Sequence, residues 1–145
     1  VDGVLVVDLP PEEGHQLLVE MKRNDLDSVY LIAPTTTDDR IKEICEASSG
    51  YVYYVSVKGV TGSASLDVNS VAEKLGVIRS KSDIPVGVGF GIKDPESAAA
   101  VAKVSDGVIV GSVLVNTIAA NLDDHGAIKS KIYDIVSSMR QAMDA

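Results

Sequence analysis

Five short runs rich in branched and aromatic residues, each followed by a longer stretch with helical spacing, set the narrowest limit on how this chain folds. The runs cover residues 4–7, 29–33, 51–56, 85–89 and 108–110. Helical patterns follow near 10–23, 36–48, 68–79, 94–104 and 113–121, and a last amphipathic one spans 128–143. Such alternation specifies a parallel sheet with right-handed crossovers. Helix starts are marked as well. Pro10-Pro11-Glu12-Glu13 puts proline where a helix leaves its N–H unpaired and acids at its positive end. Thr36 with Asp39 is close to a capping box, and Asp94-Pro95-Glu96 opens the helix near 94–104.

The 145 residues fit one domain, 1–145, with no linker or low-complexity tract to divide it. Apolar residues make up 46%, with no Trp and a single Phe, so Val, Ile, Leu and Ala must fill the core. Small branched side chains of that kind suit parallel strands covered by helices.

Glycine placement separates the two parallel architectures. A doubly wound sheet carries its phosphate glycines mainly in the first strand–helix turn. Here that turn is Asp8-Leu9-Pro10-Pro11, with no glycine. Glycines gather instead after the third, fourth and fifth runs, as Gly59-Val60-Thr61-Gly62, Gly89-Phe90-Gly91 and Gly111-Ser112. Barrel enzymes hold phosphate at their last two strands, beside a short extra helix. The helical pattern near 113–121 fits that part. The expected fold is therefore α/β, a parallel (β/α)8 TIM-barrel type, incomplete, with about five βα units. A closed barrel needs eight strands, so the chain corresponds to the C-terminal five-eighths. It begins Val1-Asp2-Gly3, already entering a strand, as a fragment or a processed or trimmed chain does. Its two open edges would require the missing part or a second chain.

Charge and cysteine usage narrow the function. A net charge of −8 argues against nucleic acid, whose phosphates demand a basic surface. It leaves room for a phosphate ligand held by neutral backbone N–H groups. The lone Cys45 cannot form an internal disulfide, and no Cys/His cluster has metal-ligand spacing. With no apolar run near the ~20 residues of a membrane span, a cytoplasmic protein is expected.

Each glycine corner offers an anion its backbone N–H groups at the positive end of a helix. Thr61 and Gly62 belong to a loop able to close over a ligand, or to an ordinary surface loop. Gly91 would supply N–H groups, or allow close strand–helix packing. Gly111 and Ser112 would supply an N–H and a hydroxyl, or Ser112 would be a plain helix cap. Tyr51, Tyr53 and Val55 share one face of their strand, and Val52, Tyr54 and Ser56 the other. If the first set faces the barrel interior, Tyr53 lies near the ligand end; otherwise it is a buried tyrosine bonded to backbone. Asp8 is a carboxylate at a strand end, or a turn residue. His15 and His125, on a helix and in a helix-joining loop, lie away from every strand end. Nothing in the chain forms an acid–base pair.

These residues resemble the tryptophan synthase alpha subunit family. The likeness runs from Asp2-Gly3-Val4-Leu5-Val6-Val7-Asp8-Leu9-Pro10 through Leu31-Ile32-Ala33-Pro34-Thr35 and the stretch 50–62. It ends in 87–92 and 107–113. It implies a segment covering barrel strands four to eight of a lyase that cleaves indole-3-glycerol phosphate to indole and glyceraldehyde 3-phosphate. By the family pattern Gly62, Gly91, Gly111 and Ser112 hold the phosphate, Tyr53 lines the pocket and Thr61 belongs to the closing loop. The loop after Asp8, with Pro10, faces the beta subunit, to which the pyridoxal phosphate chemistry belongs. No cofactor is implied for this chain. The family's catalytic glutamate and aspartate come from earlier strands, so no residue here is assigned a catalytic role, and the chain alone is expected to be inactive. The alternative expectation is a non-catalytic phosphate-binding or complementation fragment that needs its N-terminal partner.

Overall fold

The computed structural model describes residues 1–56 and 67–145. In chain order the elements are β1 (Gly3–Leu5), α1 (His15–Arg23), β2 (Asp27–Val29), β3 (Leu31–Ile32), α2 (Asp38–Ala47), β4 (Val52–Val55), α3 (Val68–Arg79), β5 (Val86–Gly89), α4 (Pro95–Ala102), β6 (Gly107–Ile109), α5 (Ser112–Ala119) and α6 (His125–Asp144). Every strand pair is parallel, and neighbours in space are neighbours in sequence: β1–β2, then β3–β4–β5–β6. A doubly wound sheet would reverse its strand order at a switch point. No reversal occurs among the described strands, and the winding is that of a barrel wall.

Six strands occupy the five expected positions, because the run at 29–33 is divided at Tyr30. β2 pairs back to β1, with Asp27 opposite Gly3, whereas β3 pairs forward to β4, with Leu31 opposite Tyr53. The Tyr30 carbonyl still accepts the Tyr53 N–H at 2.9 Å. Strands of a closing sheet are staggered along the axis, so one strand exchanges one partner for the other part-way along its length.

The hydrophobic core lies between the outer face of this sheet and the helices. Val52, Tyr54, Val86 and Val88 are buried from the sheet side. From the helices come Ile41 and Ile44 of α2, Val71, Leu75 and Ile78 of α3, and Ala98 and Val101 of α4. The spacing Val71, Leu75, Ile78 places one stripe of α3 against the sheet. Asp67 caps α3 by accepting the N–H groups of Asn69 and Ser70. α4 begins at Asp94-Pro95, as its sequence predicts, and Asp94 and Ser97 add a reciprocal capping box that the sequence reading did not name.

Three local expectations fail for identifiable reasons. Pro10–Glu13 forms a separate turn, in which the Pro10 carbonyl accepts the N–H groups of Glu13 and Gly14 at 3.0 and 3.1 Å, so α1 starts only at His15. Thr36 does not cap α2; its Oγ1 accepts the Ala33 N–H at 2.9 Å, and the N-cap falls on Thr37 with no side-chain bond. His125 is the first residue of α6 rather than part of a loop, although it is exposed, as is His15.

Among the described residues, β1 and β6 each have a strand neighbour on one side only. The helices that follow those two strands in the chain expose large apolar side chains: Leu17 and Val19 on α1, and Ile118, Tyr133 and Val136 on α5 and α6.

Candidate phosphate site

The inner face of the sheet leads to the site. Tyr51, just before β4, and Tyr53 of β4 reach across the glycines of β5. A Cβ added at Gly87 would meet the Tyr51 ring at 3.1 Å, and one added at Gly89 would fall on the Tyr53 hydroxyl. Only hydrogen fits beneath the Tyr53 ring. Tyr53 therefore takes the inward face, half-buried, with its hydroxyl over the end of β5. Burial is the main cause that raises its phenol above the usual tyrosine range, with Tyr51 adding to it.

β5 ends in a turn of uncommon geometry. Phe90 and Gly91 both have positive φ, 78° and 79°. Glycine adopts this freely, but for a bulky phenylalanine it is strained backbone that its surroundings must hold in place. Ser56 does so. Its N–H donates to the Gly89 carbonyl at 3.1 Å, and its hydroxyl lies 2.8 Å from the carbonyl oxygens of both Gly89 and Phe90. The Phe90 side chain is left 58% exposed. Ser56 is a supporting residue that sequence reasoning passed over. Its only signal was its place as the last residue of the third strand run.

One strand further, Gly111 is the N-cap of α5 and Ser112 its first residue. The Gly111 carbonyl accepts the N–H groups of Leu114 and Val115 at 2.9 and 3.1 Å. Because the N-cap falls on Gly111, Ser112 is not itself the cap residue. Among the described residues the N–H groups of Gly91, Ile92 and Ser112 have no backbone acceptor. They lie at the ends of adjacent strands, unbonded among the described residues, and the dipole of α5 adds about half a positive charge there.

Gly91 and Ser112 line one cleft of about 550 Å³, together with Lys93, Asn116, Asn121 and Lys131. Tyr53 does not line this cleft; it stands on the neighbouring inner face. Thr61 and Gly62 lie outside the described residues. Asp94, next to the cleft, has its carboxyl held below the usual range, first by the Ser97 hydroxyl and then by the Ser97 N–H. Asp8 lies instead in a separate hollow with Pro10, Tyr30 and Arg40. Cys45 is buried, which pushes its thiol up and leaves it unreactive. Among the described residues no group of three His, Cys, Asp or Glu is placed to hold a metal ion.

Comparison with known proteins decides the family. The profile described as "Tryptophan synthase alpha chain" matches residues 1–144. The chain belongs to the tryptophan synthase alpha chain family. It is 59% identical over 145 residues to the tryptophan synthase alpha chain of Marinobacter nauticus, covering 100% of this chain and 54% of that protein. To that of Thioalkalivibrio sulfidiphilus it is 54% identical over 144 residues, covering 99% and 54%. The crystal structure of tryptophan synthase subunit alpha from Legionella pneumophila superposes with a TM-score of 0.80 at 37% identity, over 99% of this chain and 52% of that one. A Mycobacterium tuberculosis tryptophan synthase structure gives 0.82 at 35%, over 99% and 52%. This alpha-chain segment thus spans about half the length of the relatives it matches. With its sequential parallel strands, it is an incomplete (β/α)8 barrel.

Proposed function

We propose that residues 1–145 form one partial barrel domain of an alpha chain that cleaves indole-3-glycerol phosphate to indole and glyceraldehyde 3-phosphate. In this reading the segment holds the substrate phosphate. The observation that carries it is the convergence of Gly91 and Ser112 on one cleft, with their N–H groups unbonded among the described residues. Gly111 sets the start of α5 and belongs to the same grip. Gly62 and Thr61 would complete it from the loop after β4, and Tyr53 would bound the indole side.

Retro-aldol cleavage needs an acid and a base to move protons at the indole ring and the glycerol hydroxyl. The described strand ends supply no such pair. By the family pattern the two carboxylates come from strands that precede this segment. The open edges at β1 and β6 support a complementing set of three strand–helix units. The beta subunit is the further partner, and no cofactor of the alpha chain's own is required. Among the described residues no helix is long and apolar enough to cross a membrane. A cytoplasmic location is part of the same proposal.

Indole release from indole-3-glycerol phosphate tests the reading. The 145-residue chain alone should release none, and adding the preceding strand–helix units should restore release. Indole formed by this chain alone would refute the division of labour.

A further inference from the structure

The glycine corners leave a charge imbalance. A phosphate monoester brings close to two negative charges at neutral pH, whereas these N–H groups and one helix terminus offer about half a positive charge. Lys93 stands in position to correct this. It follows the Gly91–Ile92 turn and lines the same cleft as Gly91 and Ser112.

Its backbone is held on both sides. Ile92 is buried in the core, and the Lys93 N–H donates to Ser97 Oγ at 3.2 Å. The side chain is exposed and makes no ion pair among the described residues. The adjacent Asp94 carboxylate is engaged by the Ser97 N–H at 2.8 Å and the Ser97 hydroxyl at 2.6 Å. Glu96 is exposed in the first turn of α4. Elsewhere in the cleft Lys131 already donates to Asn121 Oδ1 at 2.6 Å. The Lys93 ammonium has no hydrogen-bond or ion-pair partner among the described residues, and its charge is the last of the causes that lower the Asp94 carboxyl.

We infer that Lys93 supplies the ionic contact to the phosphoryl group held at Gly91, Gly111 and Ser112, and is an affinity determinant of that site. The inference rests on the phosphate reading above. A backbone grip recognises the shape of the group, and an ammonium adds selection for its charge.

The test is a titration of the full protein carrying this chain with inorganic phosphate, followed by amide shifts at Gly91, Gly111 and Ser112. At low ionic strength Lys93→Gln should weaken phosphate binding about fivefold, the upper end for an exposed ion pair. The deficit should shrink to within about twofold near 0.5 M salt, where screening is short-ranged. Lys93→Arg should stay within about twofold of the parent, since it keeps the charge. A purely structural role would not give this salt dependence. If Lys93→Gln binds phosphate like the parent while the three amides still shift, the inference is overturned and the phosphate reading stands. If those amides do not shift in the parent, the phosphate reading falls, and the inference with it.

Discussion

Replacing Gly89 by Ala tests whether the tyrosine–glycine contact on the inner face shapes the site. The added methyl would fall on the Tyr53 hydroxyl, with Cζ only 2.5 Å away. The backbone has little room to retreat. Gly89 lies opposite Val55 of β4 and Ile109 of β6, and its carbonyl accepts the Ser56 N–H. Tyr53 must therefore swing out. Uncovering on the order of 50 Å² of apolar ring costs about 1.3 kcal/mol. An off-rotamer side chain adds about 1 kcal/mol. Alanine's stiffer unfolded chain returns about 0.7 kcal/mol. The net loss is about 1.5 kcal/mol, inside the range for an overpacked site. Equilibrium urea unfolding of the full protein should show it as a lower midpoint with an unchanged slope. Tyr53→Ser in the same molecule removes the obstacle, so the double variant should be more stable than the two single losses predict by about 1 kcal/mol. A Gly89→Ala midpoint equal to the parent's, or strictly additive losses, would show that the contact does not constrain this strand.

Two further substitutions should behave in opposite ways. Gly76→Ala on α3 meets nothing within 4 Å of the new Cβ, so it should stabilise the protein by about 0.5–1 kcal/mol in the same unfolding experiment. Asp106 accepts the Val86 N–H at 2.9 Å and pairs with Arg79 at 3.2 Å, and that backbone bond is the main cause holding its carboxyl below the usual range. A carboxyl whose folded pKa is depressed contributes stability above its unfolded pKa and loses it as pH falls through the folded one. Asp106→Asn should thus cost about 1 kcal/mol at pH 7. The gap from the parent should close as pH drops below about 4, which unfolding midpoints across that window would show.

What the sequence made legible here is what depends on one segment at a time. The alternation Tyr51-Val52-Tyr53-Tyr54-Val55 fixes which side chains share a face, because period two holds whatever strand lies alongside; which face meets the helices came only from the packing of Val52 and Tyr54. The start of α4 at Asp94-Pro95 is equally local. Features that depend on a neighbour escaped. The division of β2 from β3 at Tyr30 reflects the stagger of adjacent strands, which no single run encodes. Thr36 had two possible donors, and the turn before α2 delivered the Ala33 N–H. Ser56 supports the strained Phe90 turn only because β4 and β5 register Val55 opposite Gly89, which brings residue 56 level with the end of β5. Shifting that register by one residue would move Ser56 off the Gly89 and Phe90 carbonyls and turn Tyr53 outward. The register that seats Tyr53 over Gly89 therefore also holds the corner from which Gly91 faces the cleft. Pairing between β4 and β5 thereby becomes part of the site itself.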